Sequence, residues 1–157
     1  MTTHPPRFQT FDDPSHAKGS ERIEALRAAL REIRADGFVV PRADEHQSEY
    51  VPAQAERLAW LTGFTGSAGL AVVLAEEAAL FVDGRYTLQA PEQVDTGTIT
   101  VVPLTEATPE AWLGTHLKPG QVLADAPWLH TPDGVARLER AAAKAGASLR
   151  GVPDTLV

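Results

Sequence analysis

The sequence predicts an α/β fold in which helices flank a mixed sheet. Three observations carry that expectation. Apolar residues recur at helical spacing in some segments and as short unbroken runs in others, and the two kinds alternate along the chain. Gly, Pro and Thr-Pro pairs punctuate the boundaries between them. One pair of apolar runs, Leu70 to Leu74 and Ala78 to Val82, is joined by the polar Glu76-Glu77 and reads as an antiparallel hairpin inside an otherwise alternating pattern.

Taken in order, residues 1–19 carry scattered prolines and the pair Asp12-Asp13, and read as a flexible lead-in. Ser20 is expected to cap a helix whose inner stripe is Ile23, Leu26, Leu30 and Ile33, with Gly37 as its stop. Phe38-Val39-Val40 is a short buried strand closed by Pro41. A polar loop runs from Asp44 to Pro52, and Gln54 to Leu61 is a short helix with Leu58 and Leu61 inward and Trp60 partly so. The hairpin follows. Tyr86 to Val94 has helical spacing but holds Pro91, which shortens or kinks it. Thr98 to Val102 is β-branched and predicts a strand. Thr108-Pro109-Glu110 opens a helix through Leu117, since a Thr cap, an N1 proline and an acidic first turn suit a helix start. Pro119-Gly120 turns into a strand at Gln121 to Ala124. Thr131-Pro132-Asp133 repeats the start signal, with Val135, Leu138, Ala142 and Ala145 inward and Gly146 as the stop. Ser148 to Val152 is the last strand. The chain ends shortly after that strand pattern, which reads as a domain cut from a longer protein, with residues 20–157 forming that domain.

Composition narrows the function. At 157 residues the chain is long enough to bury a core unaided, and 43% hydrophobic with 22% charged residues is ordinary for a globular domain. The net charge of −7 argues against nucleic acid or an anionic membrane as a partner. Arg22, Arg27, Arg31 and Arg34 stand at helical spacing among Glu24 and Glu32, the pattern of a solvated helix face. Without cysteine there is no disulfide, thiolate metal site or catalytic thiol, which suits a cytoplasmic location.

Around Gly63-Phe64-Thr65-Gly66-Ser67-Ala68-Gly69 the sequence is richest. Glycines three apart let backbone or ligand approach closely. The loop is no P-loop, because no Gly-Lys-Ser/Thr follows it. It is neither a dinucleotide fingerprint nor a nucleophile elbow for Ser67, because those loops leave a strand and open a helix, and the order here is reversed. No two of His4, His16, His46, His116 and His130 have helical ligand spacing, and His46 with Glu49 is a lone pair better read as a hydrogen-bonded loop. Asp12-Asp13 and Glu76-Glu77 are adjacent residues whose side chains diverge, so neither is a general acid/base pair. Arg85 follows the turn Asp83-Gly84 at the end of a strand. Two readings of it stay open: a two-point grip on a substrate carboxylate, or a structural ion pair with Asp83 or with an acid of another domain.

Three motifs together give a resemblance. Asp44-Glu45-His46-Gln47-Ser48-Glu49-Tyr50, the glycine loop, and Val82-Asp83-Gly84-Arg85-Tyr86-Thr87-Leu88-Gln89-Ala90 resemble the N-terminal domain of cytosolic Xaa-Pro aminopeptidases, in the creatinase/prolidase pita-bread superfamily; Pro127-Trp128-Leu129 matches weakly. The likeness covers residues from about 20 to 157. It implies a ribonuclease H-like α/β domain with no catalytic residue and no metal site of its own. It implies further domains in the same polypeptide, the last holding two divalent metals, manganese by expectation, on two Asp, one His and two Glu. The whole enzyme would remove the N-terminal residue preceding proline from short peptides by a metal-bound hydroxide. The expected partners are those other domains, short proline-containing peptides and a second copy in a homodimer. The domain would close one side of the substrate cleft, with Arg85, and more weakly Phe64, as cleft-facing candidates. The alternatives are the same domain in a creatinase-type amidinohydrolase, or a non-catalytic binding and assembly module. The Glu-His-Gln-Ser-Glu-Tyr motif favours the peptidase branch.

Overall fold

The computed structural model describes residues 16–44, 46–47, 51–52, 55–153 and 156–157, with residues 16–19 described by backbone alone. The expected lead-in up to residue 15, four residues of the Asp44–Tyr50 motif (Glu45, Ser48, Glu49 and Tyr50) and the expected helix start at Gln54 lie outside them.

Helices α1 (His16–Glu32), α2 (Arg57–Thr62), α3 (Gln89–Gln93), α4 (Pro109–His116) and α5 (Pro132–Lys144) surround strands β1 (Gly37–Pro41), β2 (Leu70–Leu74), β3 (Ala78–Val82), β4 (Thr100–Pro103), β5 (Val122–Asp125) and β6 (Ser148–Gly151). The strand order is β4-β3-β2-β1-β5-β6. β1 and β3 both run antiparallel to β2, while β4 follows β3, and β5 and β6 follow β1, in parallel. Five strands therefore point one way and β2 alone opposes them, the mixed sheet that the hairpin signal predicts.

The period-2 alternation of strands divides the core into two layers. Phe38, Val40, Ala71, Val73, Leu80 and Val82 pack with Ile23, Leu26 and Leu30 of α1 and Leu58 and Leu61 of α2. Val39, Val72, Phe81 and Leu123 pack with Trp112 and Leu113 of α4 and Leu138, Ala141 and Ala142 of α5. Ala141 is an inward residue that the apolar spacing alone does not single out.

Several boundaries depart from expectation for local reasons. Helix α1 starts at His16, so Ser20 lies within it and caps nothing. It ends before Gly37: Arg34 takes the left-handed conformation at φ 57°, and the Ala35 amide donates to the Leu30 carbonyl at 2.9 Å. That satisfies the last carbonyls without a glycine, and Gly37 is instead the first residue of β1. The expected Tyr86–Val94 helix divides into a 3-10 turn, Gly84–Tyr86, and α3. Pro91 fits α3 because it sits in the first turn, where no intrahelical donor is required. β4 starts at Thr100 because the Asp95 carboxylate captures the Gly97 amide at 3.0 Å and the Thr98 hydroxyl at 2.9 Å. The caps at Thr108 and Thr131 are present, accepting from the amides of Ala111 and Gly134.

Candidate functional site

All five parallel strands end at the same edge of the sheet, and β2 begins there. The glycine loop before β2, Asp83 after β3, Leu104 after β4 and Asp125 at the end of β5 therefore gather along one rim. In open α/β sheets, ligands bind outside the carboxyl ends of the strands.

The glycine loop owes its spacing to a ring from its own sequence. Gly63 is the left-handed C-cap of α2 at φ 84°. Phe64 then turns inward and is 1% exposed. A Cβ on Gly66 would stand 2.2 Å from its ring, and one on Gly69 3.0 Å from it. Both glycines thus let the backbone close over Phe64. The Tyr86 ring meets that ring edge-on, with centroids 5.4 Å apart. Buried Thr62 donates to the Leu58 carbonyl at 2.7 Å and accepts from the Phe64 amide at 3.1 Å, fixing the turn. From outside, Gln93 accepts from the Thr65 amide at 3.0 Å and donates to the Thr65 hydroxyl at 2.8 Å. The Tyr86 hydroxyl accepts from the Ser67 amide at 3.0 Å and shares a second, short hydrogen bond with the Ser67 hydroxyl. These bonds hold the Tyr86 phenol below its usual range, the Ser67 hydroxyl contributing most. Phe64, expected to face a cleft, is instead the core residue under the loop.

Arg85 stands beside this loop. The Asp83 carboxylate accepts from the Arg85 amide at 2.9 Å, from Nε at 3.2 Å and from Nη2 at 2.8 Å. That pairing lowers the Asp83 carboxyl and raises the Arg85 guanidinium from their ordinary values. The guanidinium carbon also lies 5.2 Å from the Tyr86 ring centroid. Yet the Arg85 side chain is 68% exposed, and its Nη1 makes no hydrogen bond among the described residues. Of the two sequence readings of Arg85, the ion pair to Asp83 is present, and the rest of the guanidinium is open to solvent.

Sequence reasoning missed Asp125, because the apolar run before it reads as a strand ending at Ala124. It is 1% exposed, and neither carboxylate oxygen has a hydrogen-bond partner. Burial, with a smaller contribution from Glu139 on α5, pushes its carboxyl up to about 6. Burial likewise lowers the nearby-in-sequence His130, whose Nε2 is also unpartnered. The one signal was an acid closing an apolar strand.

No group of three or more His, Asp or Glu among the described residues could hold a metal ion. Glu49, the partner considered for His46, lies outside them. Among those residues no helix is long and apolar enough to cross a membrane. The geometry defines an α/β domain whose polar groups collect at the carboxyl edge of the sheet.

The chain belongs to the creatinase/prolidase N-terminal domain family, whose model matches residues 22–154. A relative from Coccidioides posadasii (strain C735), named "Probable Xaa-Pro aminopeptidase P", is 38% identical over 140 residues, which is 88% of this chain and 22% of the relative. This chain thus spans under a quarter of that relative's length. Among solved structures, the X-prolyl aminopeptidase of Caenorhabditis elegans, described as a cytosolic enzyme with a di-nuclear active site, superposes with a TM-score of 0.83 at 29% identity, covering 90% of this chain and 25% of that one. The N-terminal domain of a cytoplasmic peptidase from Mycobacterium tuberculosis H37Rv shares the fold, with a TM-score of 0.62 at 22% identity over 84% of this chain and 92% of that one.

Proposed function

We propose that this chain serves as the N-terminal, non-catalytic domain of a metal-dependent Xaa-Pro aminopeptidase of the cytoplasm, forming one wall of its substrate cleft. The family membership and the 38% identity to a relative bearing that name support the reading. The creatinase-type amidinohydrolase alternative draws no support from these relatives. Two divalent metals, manganese by expectation, would be bound outside this domain and would supply the hydroxide nucleophile. The residues described here contribute no step through them. The other expected partners are the further domains of the same polypeptide, short proline-containing peptides and a second copy of the enzyme.

What this chain contributes is Arg85. Asp83 holds Nε and one edge of Nη2, which fixes the plane of the guanidinium and leaves Nη1 to meet a peptide carbonyl or carboxylate. Asp83 is a positioning residue in this reading, and Phe64 shapes the adjoining loop from beneath. In the enzyme that carries this domain, Arg85→Ala is expected to lower kcat/KM for Xaa-Pro peptides about ten- to a hundredfold. Arg85→Lys recovers only part, since the planar fork is lost. The melting temperature stays put, because an exposed ion pair contributes little to stability. Purified 1–157 alone hydrolyses no Xaa-Pro peptide, with or without Mn²⁺. An intact kcat/KM in Arg85→Ala together with a fallen melting temperature would leave Arg85 a scaffold role only.

A further inference from the structure

Two clefts adjoin on the α4–α5 side of the sheet, the first of them starting at the rim beside Gly69 and Asp83. One, of about 400 Å³, has an apolar wall of Leu70, Phe81, Leu104 and Pro109. The other, of about 510 Å³, runs on between α4 and α5 past Gly114 and Ala141 to Arg140 and Lys144. Thr108, Glu110 and Arg137 line both, so the two form one continuous groove.

Two independent features of this groove have no account within the chain. The first is charge. Arg137, Arg140 and Lys144 stand three and seven residues apart, on one face of α5. They are exposed, and none joins an ion pair among the described residues, where Arg27–Glu24, Arg42–Glu56 and Arg85–Asp83 do. Like charges so spaced weaken a helix. They stand so in a chain whose net charge is −7. The second feature is Gly114. Glycine inside a helix is less stable than alanine, yet a Cβ at Gly114 would meet nothing within 4 Å. No packing inside the chain requires a glycine there. It leaves the groove floor low.

We propose that this groove binds an extended acidic peptide segment of a partner protein. Its carboxylates would lie on Arg137, Arg140 and Lys144, and an apolar side chain would cover exposed Leu104. The spacing agrees. Seven helical residues place Arg137 and Lys144 about 10 Å apart, and residues three apart in an extended peptide span about the same. Nucleic acid fits less well. Three cations on one helix are few against the repeated phosphates of a nucleic acid strand.

The test is fluorescence anisotropy on the purified chain. The probes are labelled Ala-Leu-Ala-Glu-Ala-Ala-Glu-Ala, its reversed sequence, and the version of each with Gln for Glu. We expect one of the two Glu orders to bind and its Gln version to bind at least tenfold more weakly. Arg137→Ala with Arg140→Ala weakens it about tenfold, and added salt does likewise. Gly114→Leu abolishes binding while the melting temperature holds or rises, which separates a blocked groove from a failed fold. The proposal is overturned if neither Glu peptide binds, or if Gln versions bind as tightly. Intact binding in Gly114→Leu overturns it as well. Tighter binding of a labelled single-stranded oligonucleotide would assign the groove to nucleic acid instead. Self-association that the paired arginine substitution abolishes would assign it to a second copy. None of these outcomes depends on peptidase activity.

Discussion

Asp125→Asn should stabilise the fold at neutral pH and leave it unchanged in acid. The carboxyl is 1% exposed, lacks hydrogen-bond partners and is pushed up from 3.8 to about 6, first by burial and then by Glu139. Below the unfolded value both states hold the proton, and the group contributes nothing to stability. Between 3.8 and about 6 the folded state alone keeps the proton, so stability falls as pH rises through that window. Above it the full penalty stands. A rise of roughly two pH units corresponds to about 3 kcal/mol, at 1.36 kcal/mol per unit. The amide has the same shape and cannot ionise, so it escapes that penalty. In a chain of this size each kcal/mol moves the melting temperature by about 2–4 °C. Thermal unfolding at pH 8 should then show Asp125→Asn melting about 6–12 °C above the parent, and at pH 4 the two curves should nearly coincide. Depressed His130 acts oppositely, adding stability as pH rises toward its ordinary range, but it is common to both chains and cancels from the difference. A gap that is constant across pH, or absent at pH 8, would refute the reasoning.

Two further outcomes test the glycine loop. Gly66→Ala would place a Cβ 2.2 Å from the buried Phe64 ring, and overpacking of this kind costs about 1–3 kcal/mol. Denaturant melts should show that loss, whereas Gly84→Ala, whose Cβ meets nothing within 4 Å, should change little. Tyr86→Phe keeps the edge-on ring but removes the acceptor of the Ser67 amide. Hydrogen exchange at Ser67 should quicken while the melting temperature barely moves, and an unchanged rate would show that the hydroxyl does not hold the loop.

How much of this was legible in the sequence follows from how local each cause is. The hairpin could be read because Glu76-Glu77 and two apolar runs specify it within thirteen residues, and its pairing of Leu70 with Phe81 is observed. The Thr108 and Thr131 caps were legible for the same reason, since a cap acts three residues on. The end of α1 was not, because a left-handed Arg34 replaces the glycine one looks for. The glycine loop was legible in half. Its spacing predicts a close approach, but that the approaching group is Phe64 depends on the depth at which the core receives the ring. Arg85 could be singled out from Asp83-Gly84-Arg85, while its partial pairing depends on the rotamer that Asp83 stabilises. Asp125 was hidden because its carboxylate is defined by what fails to surround it.

The antiparallel strand explains why these features share one rim. In an all-parallel sheet the loop before a strand lies at the amino edge, away from the strand ends where side chains and helix starts converge. Because β2 alone is reversed, its leading loop comes to the carboxyl edge, and the Glu76-Glu77 turn goes to the opposite one. The hairpin register then decides the rest. A one-residue slip would exchange the faces of β3, moving Phe81 off α4 and Leu80 off the α1 layer. It would also shift Asp83, Arg85 and Tyr86 by one residue against Ser67. The alternation of Ala78 to Val82, each residue buried on its own face, therefore sets more than the core. It sets the distance between the Tyr86 hydroxyl and the glycine loop, and with it the direction in which Arg85 can reach.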